Sequence, residues 1–361
     1  MSDKGIKTIK CGDEPSFFAA ANSGDGFKSF YGEIFGGAER RYLIKGGPGT
    51  GKSTLMRRLA EAARKNAHSV EYYRCSSDPS SLDGLIIAGR VAIIDATSPH
   101  CVEPELAGAR DEMIDLGAFW DAEALAAQKE EIEYLSKAKR ECYGEAYGYL
   151  HAAKDVKKAF FEANKGYFDK KKLERYAKRL LTSIPRGEKY ASRTGLCAAI
   201  GMTGRAYLDT YARGAERVYA VKDFGAYSGE LFCLLAEGAK KRKNALKVSY
   251  DPLVSERVDA LLFEDAKVAF VLDRDADECK YDKYIYMKRF FKIPRGELSE
   301  VRRRSVECED VCESLLEEAQ KSLLRAGKYH FELERIYKKC MDFDSLERFS
   351  HSLCEKIIRA I

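Results

Sequence analysis

The chain has 361 residues, 45% of them apolar and 33% charged, with a net charge of +5. That length supports two domains with a core each and excludes a disordered or collagen-like chain. The mild positive charge is weak support for nucleic acid. The basic runs Lys170-Lys171-Lys172, Lys240-Lys241-Arg242-Lys243 and Arg302-Arg303-Arg304 have acidic residues near by and read as solvated helix faces.

No apolar stretch reaches the roughly 18–20 residues that cross a bilayer. Met1-Ser2-Asp3-Lys4-Gly5 lacks the basic start and apolar run of a secretory signal, so the expectation is a cytoplasmic protein with no membrane partner. Eleven cysteines at scattered spacings read as reduced thiols. Cys308 and Cys312 stand at a metal-ligand spacing but have no second ligand pair, and zinc needs four ligands.

In chain order, Ser16 to Ala21 reads as a short strand. Asp25 to Phe35 reads as a helix, with Phe27, Phe30, Tyr31 and Ile34 at helical spacing. Arg41 to Lys45 predicts a strand, Ser53 to Lys65 a helix, and Val70 to Cys75 a strand rich in β-forming residues. Val91 to Ile94 is a short, fully apolar strand that ends at Asp95. From Asp121 to about Leu181 the pattern turns helical and charged, with Leu125, Ile132, Leu135, Tyr143, Ala146, Leu150 and Ala153 on one stripe. This predicts a helical hairpin, packed on a sheet or projecting from it. Ser183-Ile184-Pro185-Arg186-Gly187 interrupts the helices and reads as a linker. Glu300 to Ile361 repeats the helical arrangement, with Val311, Leu315, Ala319 and Leu323 marking its stripe.

The chain also repeats itself. Gly37-Ala38-Glu39-Arg40 recurs as Gly214-Ala215-Glu216-Arg217, and Tyr42-Leu43-Ile44-Lys45 is matched by Tyr219-Ala220-Val221-Lys222. Leu59-Ala60-Glu61-Ala62-Ala63 pairs with Leu235-Ala236-Glu237-Gly238-Ala239, Asp78-Pro79 with Asp251-Pro252, and Val91-Ala92-Ile93-Ile94 with Val268-Ala269-Phe270-Val271. Leu173-Glu174-Arg175 finds Leu346-Glu347-Arg348. The constant order at a long period implies duplicated domains rather than a solenoid. The expected division is 1–185, with a helical insertion over about 121–181, and 186–361, with C-terminal helices from about 296.

Gly46-Gly47-Pro48-Gly49-Thr50-Gly51-Lys52-Ser53, between strand and helix, has the spacing of a P-loop. Its glycines let successive N–H groups point at phosphate oxygens, and the helix N-terminus adds partial positive charge. Lys52 is expected at the β- and γ-phosphates, Ser53 on Mg²⁺, and Thr54 as a further phosphate contact. Asp95 stands where a carboxylate holds Mg²⁺ through its water shell. The next residue is Ala96, so a general base must come from elsewhere. Asp78, in the turn sequence Ser76-Ser77-Asp78-Pro79, and His100 are the candidates, each with a structural alternative. Arg110 is a candidate charge-neutralising group with a surface alternative, and Trp120 is read as anchoring the helical segment to the sheet. In the second copy Asp223-Phe224-Gly225-Ala226-Tyr227-Ser228-Gly229-Glu230 is one residue shorter, lacks the lysine and has acidic ends, so only the first copy is expected to bind.

On Gly26-Phe27, Lys45 to Thr54, Cys75-Ser76-Ser77-Asp78, Leu82-Asp83-Gly84 and the segment Asp95 to His100, the chain resembles an uncharacterised double P-loop ATPase family from about Ser16 onward. The resemblance implies an α/β fold of tandem duplicated P-loop domains and an ATPase or nucleotide-kinase activity. Family members often carry a usable loop in both halves, and this chain departs from that. The leading expectation is an ATP- and Mg²⁺-binding protein that hydrolyses slowly and couples nucleotide state to a conformational change. The alternatives are a kinase acting on a small molecule or nucleotide, and a nucleotide-dependent regulatory switch with an unknown protein partner.

Overall fold

The computed structural model describes residues 6–9, 14–274 and 281–361. The opening segment Met1 to Gly5, read above for a secretory signal, lies outside the described residues. The protein is mixed α/β.

The first half runs β1 (Ile6–Ile9), β2 (Ser16–Phe18), β3 (Ala20–Ser23), β4 (Gly26–Ser29), α1 (Tyr31–Phe35), β5 (Arg40–Lys45), α2 (Lys52–Lys65), β6 (Val70–Arg74), β7 (Leu82–Ile87), β8 (Val91–Asp95) and β9 (Asp111–Asp115). Helices α3 (Ala122–Ala126), α4 (Lys129–Asn164) and α5 (Lys170–Thr182) come next. The second half has β10 (Ala191–Thr194), β11 (Ala198–Gly201), β12 (Gly204–Leu208), α6 (Thr210–Arg213), β13 (Arg217–Lys222), α7 (Ser228–Lys241), β14 (Ala245–Tyr250), β15 (Val258–Phe263), β16 (Val268–Leu272) and β17 (Lys283–Tyr286). It closes with α8 (Leu298–Lys339) and α9 (Phe343–Ala360).

Two six-stranded mixed sheets share one strand order, β2-β6-β7-β8-β5-β9 in the first and β10-β14-β15-β16-β13-β17 in the second. Corresponding neighbours are parallel or antiparallel alike. The duplication read from the sequence is therefore a structural one. One match moves: the bulges at Arg74 and Tyr250 place Cys75, not Asp78, opposite Asp251 in the alignment of the halves.

Side chains alternate faces along each strand, and each sheet uses both faces. Leu43, Ala92 and Ile94 point to a cluster shared with Ala260, Leu262, Ala269 and Val271 of the second sheet. Tyr42, Ile44 and Ile93 point the other way, beneath α2. Between the sheets Lys247 is ion-paired to Glu71 at 2.8 Å and lies 3.9 Å from the Phe17 ring centroid.

Three expectations are corrected. Asp25 to Phe35 is not one helix, because the turn sequence Ser23-Gly24-Asp25-Gly26 closes the β3–β4 hairpin with Gly26 at φ +87°. Only Tyr31–Phe35 is helical. On α8, Val311 is exposed and Cys312, Leu316, Ala319 and Leu323 form the buried stripe. The helical hairpin expected within each half is absent among the described residues. Instead α4 and α8, one from each half, lie antiparallel and bury their apolar stripes on one another, Leu135 meeting Leu333 and Ile336, and Leu150 and Ala153 meeting Leu316 and Ala319.

The two halves also exchange their next helices. Leu173, Tyr176 and Leu180 of α5 join the core beneath α7 in the second half, whereas Leu346, Leu353 and Ile357 of α9 join the core beneath α2 in the first. The crossings are hydrogen-bonded alike: Asp169 and Lys292 N–H donate to Phe290 and Tyr167, and Asp121 and Asp342 N–H donate to Cys340 and Phe119. Trp120 sits at the second crossing, its ring 5.7 Å from Tyr337 of α8.

Leu353→Ala should therefore destabilise the first half from the far end of the chain, by about 2–4 kcal/mol. Denaturant titration followed by Trp120 fluorescence measures it, and a midpoint equal to wild type would contradict the packing.

Candidate functional site

Strand β5 delivers the glycine-rich loop to the edge of a cavity of about 1230 Å³. Gly46 to Thr54, Asp78, Asp95 and His100 all line it. The structure thus brings the loop, Asp78, Asp95 and His100 to one space, and leaves Arg110 out of it. Gly49 and Gly51 have φ of +72° and +85°, a region that penalises any side chain. A Cβ on Gly46 would stand 2.8 Å from Thr50 Oγ1, which donates to the Gly47 carbonyl at 2.9 Å. Helix α2 starts at Lys52 with no side-chain cap and no acidic residue in its first turn. Its leading N–H groups are left for an anion.

Lys52 Nζ donates to the carbonyls of Gly46 and Gly47 at 3.0 and 2.8 Å and lies 3.7 Å from Asp95 Oδ2. Asp95 ends β8, which pairs directly with β5 at Ile44, so sheet register places carboxylate and ammonium side by side. Burial pushes the Asp95 carboxyl up, the Lys52 charge opposing it. Thr97 N–H and hydroxyl both donate to Asp95 Oδ1 and fix it. Ser53 Oγ accepts from Leu82 N–H at 3.1 Å.

Among the described residues, no group of three or more His, Cys, Asp or Glu side chains is placed to hold a metal unaided. The hydroxyl of Ser53 and the carboxylate of Asp95 fit Mg²⁺, which binds proteins through one or two oxygens and takes its other ligands from water and phosphate. Cys308 and Cys312 instead face backbone carbonyls of α4, at Val156 and Ala153.

The base candidates fare differently. Asp78 Oδ1 accepts from Ser80 N–H at 3.0 Å, and its carboxylate also takes the Ser80 and Ser81 hydroxyls, so turn geometry occupies it. His100 is stacked on Tyr31, 4.5 Å between centroids, with Nε2 3.3 Å from Asp83 Oδ2. Burial disfavours its charged form, but Asp83 outweighs that and raises the imidazole above 6.5. Arg110 is far from this chemistry, paired with Glu105 and Asp111 at the opposite end of β5.

Sequence reading gives Asp83 no role. It is 4% exposed, one residue from the Gly84–Ile94 pair and hence beside Asp95. The available signal is a carboxylate inside the apolar run Leu82 to Ile87. Lys139 and Arg140 of α4, and His330, Glu334 and Lys338 of α8, also line the cavity without a sequence signal of their own. Glu334 is held down to about 2 by its hydrogen bond to His330, with Lys338 adding to it.

The second loop is closed by its own side chains. Asp223 Oδ1 accepts the Ser228 N–H at 2.7 Å, an anion at the start of α7 where the first loop has none. Arg257 holds Asp223 at 2.7 Å and donates to the Ser228 hydroxyl. Burial opposes the ionised Asp223, but Arg257 prevails and keeps it below the usual carboxylate range. The cavity beside it holds about 250 Å³, below the roughly 300 Å³ at which ligand pockets begin.

The His100–Asp83 pair makes stability depend on pH. Its contribution is complete below 6.5, the ordinary imidazole value, and is lost as pH rises through the raised folded-state value. His100→Gln should lower stability at about pH 6 and change it much less at about pH 9. Denaturant titration at both pH values measures this, and parallel pH profiles for variant and wild type would leave the pair without a role.

No family model, curated protein or solved structure matches the chain.

Proposed function

We propose that this chain binds ATP with Mg²⁺ at the first loop and is built from tandem duplicated P-loop domains, the second of which has lost its site. One observation carries the reading. Lys52 is held by Gly46 and Gly47, 3.7 Å from Asp95, beneath an uncapped helix N-terminus and on the wall of a cavity large enough for a nucleotide. Backbone donors, a lysine, a hydroxyl and a carboxylate in that order are the parts a triphosphate and its metal need. The resemblance to double P-loop ATPases points the same way.

Slow hydrolysis is the expectation because of what the site lacks. Ala96 stands directly after Asp95, Asp78 is engaged by its own turn, and His100 is packed between Tyr31 and Asp83, so neither of the two base candidates stands free. The nucleotide faces α4 and α8, which tie the halves together, and its state is thereby coupled to their arrangement. A second reading, phosphoryl transfer to a bound acceptor, is favoured by the size of the cavity. Its 1230 Å³ exceeds the roughly 300–1,000 Å³ of ordinary ligand pockets.

Isothermal titration of the full chain with ATP and Mg²⁺ should give a stoichiometry near one, and Lys52→Ala should abolish the heat without changing the fold. Undiminished affinity in that variant, or two equivalent sites per chain, would sink the assignment. Asp95→Asn should leave metal-free nucleotide binding in place while Mg²⁺-dependent turnover drops about 10²-fold. An unchanged rate at saturating Mg²⁺ removes Asp95 from the chemistry.

A further inference from the structure

Helix α4 turns one face toward the cavity: Ser136, Lys139, Arg140, Tyr143, Gly144 and Tyr147, at the three- and four-residue spacing of a helix surface. Two features of that face are unexplained by packing. Gly144 interrupts a long helix, where glycine costs about 1 kcal/mol, and a Cβ added there would meet nothing within 4 Å. The backbone is left bare beside open space. Lys139 is half-buried, yet among the described residues it has no ion pair or hydrogen bond. Its ammonium is pushed down by burial and then by the charges of Lys52 and Arg140.

The carboxylates in the cavity are already committed. Glu334 serves His330 and Lys338, Asp78 serves Ser80 and Ser81, Asp83 faces His100, and Asp95 lies by Lys52. Lys52 of α2 and Lys139 and Arg140 of α4 thus lie within reach of one another's charge, in a space with no uncommitted carboxylate among its described lining residues. An anion entering this space would find the charges of Lys139 and Arg140 without a carboxylate partner. The loop lysine reaches the β- and γ-phosphates of a bound nucleotide, so a cation facing that lysine meets the terminal phosphate before any other.

We propose that Lys139 and Arg140 recognise the γ-phosphate, making α4 the element that distinguishes triphosphate from diphosphate. The inference rests on the nucleotide reading of the first loop. It places the discriminating charge on the arm that pairs with α8, so the presence of the γ-phosphate is felt where the halves are joined.

The test is titration of the full chain with a non-hydrolysable ATP analogue and with ADP, each with Mg²⁺, for wild type, the Lys139→Ala/Arg140→Ala double variant, Lys139→Arg and Lys52→Ala. The double variant should lose about tenfold or more in affinity for the analogue while ADP changes by less than about twofold. Lys139→Arg should keep the preference, and denaturant midpoints should match wild type. An unchanged analogue-to-ADP ratio in the double variant, or an equal loss for both ligands, overturns the assignment of Lys139 and Arg140 and leaves the loop reading standing. No binding by wild type, or full binding by Lys52→Ala, overturns the loop reading and this inference with it.

Discussion

The apolar stripes of α4 and α8 constrain the rest of the molecule. These helices are 36 and 42 residues long, about 54 and 63 Å, and neither sheet is long enough to cover such a stripe. Burying a leucine or isoleucine contributes roughly 1.5–3 kcal/mol, and Leu135, Leu150, Leu316, Leu323, Leu333 and Ile336 are all buried where the two helices meet. Small residues let the backbones approach: Ala146 and Ala153 on one helix, Ala319 on the other. The antiparallel pairing then dictates where the next helices dock. A helix leaving the first half must end at the second, and the reverse, so α5 covers α7 and α9 covers α2. The wall of the cavity opposite the loop is a by-product of this exchange.

Within that frame the two loops differ in how the start of the following helix is satisfied. Both come after a strand ending in lysine and precede a helix of 14 residues. The first leaves its helix start uncapped. The second supplies Asp223 in place of the ligand and Arg257 to neutralise it, with the loop shortened by one residue. At an effective dielectric near 20, opposite charges about 4 Å apart interact by about 4 kcal/mol. An arriving triphosphate would have to displace such a pair and then face the carboxylate. In the second half the anion at the helix start is the protein's own carboxylate, Asp223.

Much of this is legible in the residues. The strand ending at Lys45, the loop, α2 and the strand ending at Asp95 are dense local signals: glycines that need positive φ, an apolar strand, a helix with one buried face. The repeats are equally readable because the same short strings return in order. The hidden part depends on long-range partners. Two stripes of 3.6-residue period say that α4 and α8 are buried on one side but not against what, and a hairpin within each half satisfies the same pattern. Lys139 and Arg140 sit among other charges in the run Lys137 to Arg140, and nothing local separates a cavity lysine from a solvated one. Asp83 hides in strand β7, whose charge and glycine blur the strand pattern. At Ser23 to Gly26 the turn signal competes with aromatic spacing that the hairpin meets as well as a helix does.

The exchange also explains why the loop glycines carry more than one constraint. A Cβ on Gly47 would meet the Tyr337 ring at 2.8 Å, one on Gly49 the Glu334 carbonyl at 2.8 Å, and one on Gly51 a Leu346 methyl at 3.1 Å. All three neighbours belong to the end of α8 and the start of α9, contributed by the other half. The loop is thus bounded by the cavity on one side and by the far half on the other. The second loop is gripped in the same place by aromatic rings, Tyr227 stacking on Phe161 at 4.1 Å and lying tilted against Phe168 at 4.4 Å between centroids. Interlocked aromatic rings fix a loop, whereas bare glycine backbone against a helix end permits it small displacements. If the first loop binds phosphate as proposed, a larger shift of that loop would press on α8, which is packed along α4, the helix that carries Lys139.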